Sequence, residues 1–220
     1  NGLRRQFAIN IDSYCADLTN SIEFQELLNY LDAHHYCFNI LLNIAGIDRE
    51  GGFILRQGQE IIDIIKINVE ATTKITYEII KRKANDFSII FVSSLASQFP
   101  IPLKATYSAS KRFLYDLGIA LHQELKNEGI RVLVLCPGGL VTTNETIKAI
   151  LAQGVFGQLT TNKIEKICRK TLNRLLKGKA SYFPGIFNNC LRIIAFFFPK
   201  QIIACILYYR FNQSQKKWLK

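Results

Sequence analysis

Tyr107-Ser108-Ala109-Ser110-Lys111 sets a phenol and an ammonium four residues apart. On a helix that spacing puts both side chains on one face. A phenol with its ordinary pKa of roughly 10 is a poor base at neutral pH. A neighbouring ammonium favours the phenolate and lowers that value. The pair can then pass a proton to or from a reacting oxygen. Taken alone, Tyr and Lys at this spacing are as a rule only helix surface. Ser94, however, ends an apolar run thirteen residues earlier, and Pro100 and Pro102 stiffen the segment between them. A loop of that length returns the chain so that the helix starts beside Ser94. The Ser94 hydroxyl is then placed to stabilise charge on a substrate oxygen.

The elements that must position these residues alternate along the chain. Residues 9–16 read as a strand closed by Asp17-Leu18-Thr19-Asn20, and 21–35 as a helix with Ile22, Leu27, Leu28 and Leu31 inward. Phe38 to Leu42 is a short buried strand bounded by Asn43 and Gly46. Residues 59–83 read as a long helix burying Ile61, Ile62, Ile65, Val69 and Ile79. Phe87 to Val92 is the next strand, 104–127 a helix stopped by Gly129, and Ile130 to Cys136 a strand closed by Pro137-Gly138. The strands are apolar throughout, which predicts an α/β, Rossmann-like, doubly wound parallel sheet with helices on both faces. Such sheets bind ligands beyond the carboxyl ends of their strands. The polar clusters Asn43–Gly46, Ser93-Ser94 and Pro137–Thr143 all fall at those ends.

Composition bounds the rest. The 220 residues are 49% hydrophobic, enough for a packed core and against a disordered chain. Six cysteines show no CxxC spacing, and His34, His35 and His122 make no metal-ligand pattern with them. Inert thiols in a reducing cytoplasm are the expectation, with Cys15 and Cys136 in buried strands. The charge of +11 is uneven. Residues 1–162 hold 15 Lys and Arg against 16 Asp and Glu, and residues 163–220 hold 13 against 1. That argues against nucleic-acid binding by the core. It leaves a basic tail that meets a membrane or an acidic ligand, or is a solvated face. Residues 1–181 read as the sheet domain and 182–220 as an extension. The extension's apolar runs, 193–198 and 201–209, are split by Pro199-Lys200 and are each too short to span a bilayer. They suit a membrane-facing segment, a substrate flap or a packed terminal helix.

Several motifs in order resemble those of the short-chain dehydrogenase/reductase family. Asp17-Leu18-Thr19 resembles its acidic adenine-side turn, and Asn43-Ile44-Ala45-Gly46 its Asn-Asn-Ala-Gly strand end. Asn68, Ser94, Tyr107 and Lys111 match its catalytic tetrad. Pro137-Gly138-Gly139-Leu140-Val141-Thr142 is similar to its Pro-Gly-x-Val-x-Thr segment. The resemblance implies carbonyl–alcohol interconversion by hydride transfer with NADP or NAD, NADP favoured. Asp17, Leu18, Asn43, Ala45, Gly46, Pro137, Gly138 and Thr142 would line the cofactor together with Asn68, Tyr107 and Lys111. Tyr107 would move the proton, Lys111 tune it and hold the ribose, Ser94 orient the substrate oxygen, and Asn68 hold a water.

Two departures accompany the resemblance. Ile44 replaces the second Asn of the strand-end motif, and no Gly-x-x-x-Gly-x-Gly occurs anywhere in the chain. The chain therefore reads as lacking the family's first strand and glycine-rich turn at its N-terminus, so weak cofactor binding is expected of it. The expected substrate is a hydrophobic or lipid-like carbonyl or alcohol. The helices at 59–83 and 104–127 are expected to build a homo-oligomer. A cytoplasmic location, peripheral to a membrane through 182–220, fits the tail. The competing reading is a non-catalytic binding or scaffold protein of the same family.

Overall fold

The computed structural model describes residues 7, 9–141, 147, 148, 150, 151 and 154–218, and omits the side chains of 156 and 212–218. The chain forms two units, Asn1–Tyr36 and Cys37–Lys220.

In the first unit, helix α1 (Ser21–Ala33) starts where the sequence places it. Asn20 caps it, its Oδ1 accepting from Ile22 N at 2.9 Å and Glu23 N at 3.5 Å. The Asp17 carboxylate closes the preceding turn by accepting from Thr19 N and Thr19 Oγ1, both at 2.8 Å. Leu28 and Leu31 are buried, but Ile22 is 69% exposed. Residues 9–16 are not a strand. Asn10, Asp12 and Ser13 interrupt the apolar run, and no described strand pairs with it. Cys15 is accordingly exposed rather than buried. Asp12 instead accepts from Tyr36 Oη at 2.6 Å, and the Tyr14 and Tyr30 rings lie 4.7 Å apart.

The second unit is built on a parallel sheet in the order β1 (Phe38–Asn43), β2 (Lys83–Val92), β3 (Arg131–Leu135), β4 (Ser181–Tyr182). Helix α2 (Gly58–Ile65), a π-helical turn (Lys66–Ala71) and α3 (Thr72–Lys81) join β1 to β2. Helix α4 (Ala105–Glu124) joins β2 to β3. Gly129, at φ +71°, ends that crossover in the left-handed conformation that favours glycine. Two further helices, α5 (Gly154–Thr160) and α6 (Ile164–Leu176), lead to β4, and α7 (Ile186–Phe197) and α8 (Lys200–Trp218) follow it. Among the described residues, no helix is long and apolar enough to cross a membrane.

Side chains alternate across the sheet. Phe91 and Val134 face α4, and a Cβ on Gly118 would lie 2.4 Å from Val134 Cγ2. Ile90, Leu133 and Leu135 face the other way and form a buried cluster with Ile167 and Leu175 of α6 and Tyr182. Helices thus cover both faces, the expected doubly wound arrangement. Two expectations fail locally. Strand β1 is an edge strand, and Ile40 and Leu42 are 38% and 48% exposed rather than covered. The long helical segment buries a different stripe from the expected one. Ile64, Asn68, Ala71, Thr72, Thr76 and Ile79 are buried, while Ile62 and Ile65 are exposed.

Candidate active site

The strand ends are level, with Asn43 paired to Phe91 and Val92 to Leu135. Three loops leave together from these ends. Leu95 N donates to Pro137 O at 2.7 Å, tying the loop after β2 to the loop after β3. Ser93 Oγ donates to the Lys111 carbonyl at 2.7 Å, tying the same loop to α4. Ser94 sits between these two ties. Its Oγ accepts from Ala96 N at 3.1 Å, which leaves its proton to point away from the backbone.

That hydroxyl acts on the Tyr107 phenol and favours its ionised form. Tyr107 lies in the first turn of α4, and the returning loop places it as the sequence requires. Its pKa is raised, first by burial and then by the Asp48 carboxylate, while the Ser94 hydroxyl and the Lys104 ammonium pull it down. Lys111 was expected to be the cation that lowers it, and here the geometry differs. Lys111 Nζ stands 5.9 Å from the Tyr107 ring centre and donates to Val92 O at 3.0 Å. The cation acting on the phenol is Lys104, 5.7 Å from the ring centre. Lys104 is itself ion-paired to Asp48 at 2.5 Å and to Glu50.

Lys111 is only 5% exposed, and burial pushes its pKa down to about 8, with Asp48 opposing. An ammonium has three N–H donors, and Val92 O takes one. Asn68, fully buried, lies beside it. A Cβ on Gly46 would be 3.1 Å from both Asn68 Oδ1 and Lys111 Nζ, so Gly46 lets the loop after β1 pass against both groups. The π-helical turn aims the Asn68 amide across the site. Its Nδ2 donates to Ile47 O and Ser110 Oγ, each at 3.0 Å, and its Oδ1 accepts from Ile47 N at 2.8 Å. Asn68, Ser94, Tyr107 and Lys111 are therefore brought together.

The residues expected to line a cofactor divide. Gly46 and Ala45 are exposed at the site, beside Asn68 and Lys111. The Asn43 side chain instead donates to Thr76 Oγ1 at 2.9 Å and fastens β1 to α3. Gly138 has a packing requirement, since a Cβ there would lie 2.1 Å from Thr160 O. Pro137 contributes its carbonyl to the Leu95 tie. Asp17 and Leu18 lie in the first unit, and Thr142 lies outside the described residues.

A small cleft opens beside Tyr107, lined among others by Arg49, Phe53, Ile61, Ile64 and Lys104. Leu103 holds a positive φ of +67° at its edge, and its carbonyl accepts from Gly51 N at 2.8 Å. Lys104, Asp48 and Glu50 were not singled out from the sequence. Lys104 stands three residues before Tyr107, one helical turn, which is a legible signal. The two acids approach only through the fold.

The family model for short chain dehydrogenases matches residues 3–150. A very-long-chain 3-oxoacyl-CoA reductase of Pyrenophora tritici-repentis is 35% identical over 147 residues, 64% of this chain and 39% of that protein. The 3-oxoacyl-acyl-carrier-protein reductase FabG of Thermotoga maritima is 24% identical over 186 residues, 80% of this chain and 73% of that one. The chain thus spans well under half the length of the first of these relatives, and 22% of a Coprinopsis cinerea protein of the same description. Among solved structures, the bulky-bulky ketone specific alcohol dehydrogenase from Comamonas testosteroni has the same fold. The TM-score is 0.69 at 20% identity, over 90% of this chain and 78% of that one. A 4-hydroxyisoleucine dehydrogenase complexed with NADH gives 0.63 at 23% identity, over 77% and 78%. With the family model covering most of the chain and the sheet, loops and level strand ends in place, this chain belongs to the short-chain dehydrogenase family.

Proposed function

We propose that the protein is an NAD(P)-dependent oxidoreductase that interconverts a hydrophobic or lipid-like carbonyl and its secondary alcohol. The observation that carries this reading is the buried Lys111 ammonium, 5.9 Å from the Tyr107 ring centre and packed with Asn68 against Gly46. Lys111 and Gly46 also fit a dinucleotide's sugar. The ammonium is buried with donors to spare, and the glycine lets the loop lie close enough to face a bound ribose. The names of the relatives, two of them 3-oxoacyl reductases, support a carbonyl next to an acyl chain. Phe53, Ile61 and Ile64 line the cleft together with Arg49, Arg56, Glu60 and Lys104, which supports a substrate joining an apolar chain to a polar group.

Lys111 and the loop at Gly46 would hold a reduced nicotinamide cofactor, whose chemistry would be hydride donation to a carbonyl carbon. The phenol of Tyr107, held protonated by burial, donates its proton to the carbonyl oxygen as that oxygen gains charge. Ser94 hydrogen-bonds to the same oxygen and fixes its direction. Lys111 holds sugar hydroxyls and carries positive charge beside the forming phenolate. Asn68 fixes the Ile47 backbone, and so the loop over the site. The raised Tyr107 pKa keeps the phenol in its proton-donating form at neutral pH. Asp17 and Leu18 would meet the adenine end, and Thr142 the nicotinamide. NADP is put ahead of NAD. A homo-oligomer through the helical segments 59–83 and 104–127 is supported by Ile62, Ile65 and Phe113, exposed at 45%, 43% and 41%.

NADPH and NADH oxidation against a panel of 3-oxoacyl thioesters and bulky ketones tests the reading. Tyr107→Phe should lower turnover by at least roughly 10²-fold, the scale of a lost proton donor. It should leave NADPH binding, read by nucleotide fluorescence, unchanged. Equal turnover in Tyr107→Phe would sink the assignment.

A further inference from the structure

Helix α7 is built the wrong way round for a helix that meets water. Ile186, Cys190, Ile193, Ile194 and Phe197 recur at helical spacing, and all of them are exposed. Ile186 is 86% exposed and Phe197 74%. The inward side mixes the part-buried Leu191 and Ala195 with Asn188, which is 1% exposed, its amide donating to Pro184 O at 2.6 Å and Thr160 O at 3.2 Å. An amphipathic helix of a globular unit points its apolar stripe at the core. Helix α8 repeats the pattern with Ile202, Cys205, Ile206 and Tyr209, all exposed. Phe198 and Pro199 link the two stripes, and Phe198 is also exposed. Scattered exposed apolar residues are ordinary, but exposed stripes on two successive helices mark a surface made for a partner.

The charge says which partner. Residues 182–220 carry Arg192, Lys200, Arg210, Lys216, Lys217 and Lys220, and no acidic residue; the last acid of the chain is Glu165. A groove beside α7 sets Arg112, Arg192 and Lys200 among Tyr115, Phe196 and Phe197. Cations mixed with aromatic rings suit the boundary between lipid headgroups and acyl chains. A second copy apposed face to face would set Arg192, Lys200 and Arg210 against their own copies with no acidic residue of this segment to meet them, which disfavours self-association through this face. We propose that the α7–α8 face docks on an anionic lipid bilayer, its Ile and Phe stripes entering the interface and its lysines and arginines meeting the headgroups. The groove also takes in Gln98, four residues beyond Ser94, so the docked face adjoins the loop that carries the candidate active site.

Vesicle flotation tests this, using phosphatidylcholine alone and phosphatidylcholine mixed with phosphatidylserine. The protein should bind the mixed vesicles at least ~10-fold more tightly, as expected of several cations near an anionic surface. Ile194→Asn with Phe197→Asn should weaken binding to both vesicles by about 10-fold or more. These positions are exposed, so the thermal midpoint should not fall. Lys200→Glu with Lys217→Glu should erase the preference for phosphatidylserine. Equal binding to both vesicles, or undiminished binding by the Ile194→Asn, Phe197→Asn protein, overturns the proposal. So does a dimer that this double variant dissociates in the absence of any vesicle binding, because the face then belongs to a second copy. Carbonyl reduction in solution is a separate readout and should not change in either variant.

Discussion

Lys111 holds its charge where the surroundings disfavour it. Its pKa in the folded chain is about 8 because of burial, against roughly 10.5 in an unfolded chain. Between those values the unfolded state binds more protons, so stability rises with pH across that window. Below about pH 8 the ammonium is present in both states, and burying it costs on the order of 3 kcal/mol at ~1.4 kcal/mol per pKa unit. The lost hydrogen bond to Val92 O offsets about 1 kcal/mol of that. Lys111→Met should therefore stabilise the ligand-free protein by about 2 kcal/mol at pH 7 while abolishing turnover, and the gain should fade toward pH 10. Urea unfolding at both pH values measures this, and a lower midpoint at pH 7 contradicts it. Asp48 supplies a second test. It raises the pKa of both Tyr107 and Lys111, so Asp48→Asn should move the alkaline fall of the reduction rate to lower pH. Lys104→Ala removes a cation that lowers the phenol's pKa and should move the Tyr107 titration upward. Rate–pH profiles that stay superimposed with the parent's would show that this ion cluster does not reach the phenol.

At the scale of elements, legibility followed how local each cause is. Helix α1, its Asn20 cap, the Gly129 stop and the strand ends at Asn43, Ser93 and Pro137 were readable because a cap, a left-handed glycine and an apolar run are encoded within a few residues. The parallel order followed from strands that are apolar on both faces. The π-helical turn at Lys66–Ala71 was not readable, because nothing in its residue types marks one extra residue per turn. The failed strand at 9–16 and the half-exposed β1 share one cause. A strand is a pairing, and a run of eight residues does not carry its partner with it. The tetrad was legible as spacing, but the Lys104–Asp48–Glu50 cluster, which acts on Tyr107, joins residues as many as 56 positions apart. Gly138 was legible as a glycine, but the close approach of the Thr160 carbonyl, 22 residues on, which occupies the space of a side chain, was not.

Across the whole chain, charge and apolar surface are sorted rather than mixed. The strands and loops that make the candidate site lie in a near-neutral stretch, and the excess positive charge lies after residue 162. The two components of the docking face respond differently to salt. Attraction between exposed cations and anionic lipid is screened over roughly 10 Å at 0.1 M and roughly 3 Å at 1 M salt. Burial of the Ile193, Ile194 and Phe197 side chains in the interface is not weakened by simple salt. A rise in sodium chloride from ~0.05 M to ~1 M should therefore bring binding to phosphatidylserine vesicles down to the level seen with phosphatidylcholine alone, and no further. A merely basic tail would instead lose vesicle binding altogether, and a merely apolar patch would show no salt dependence. Flotation across a salt series separates the three. Only a fall to a finite floor, one that Ile194→Asn with Phe197→Asn then removes, agrees with apolar stripes and cations working on the same surface.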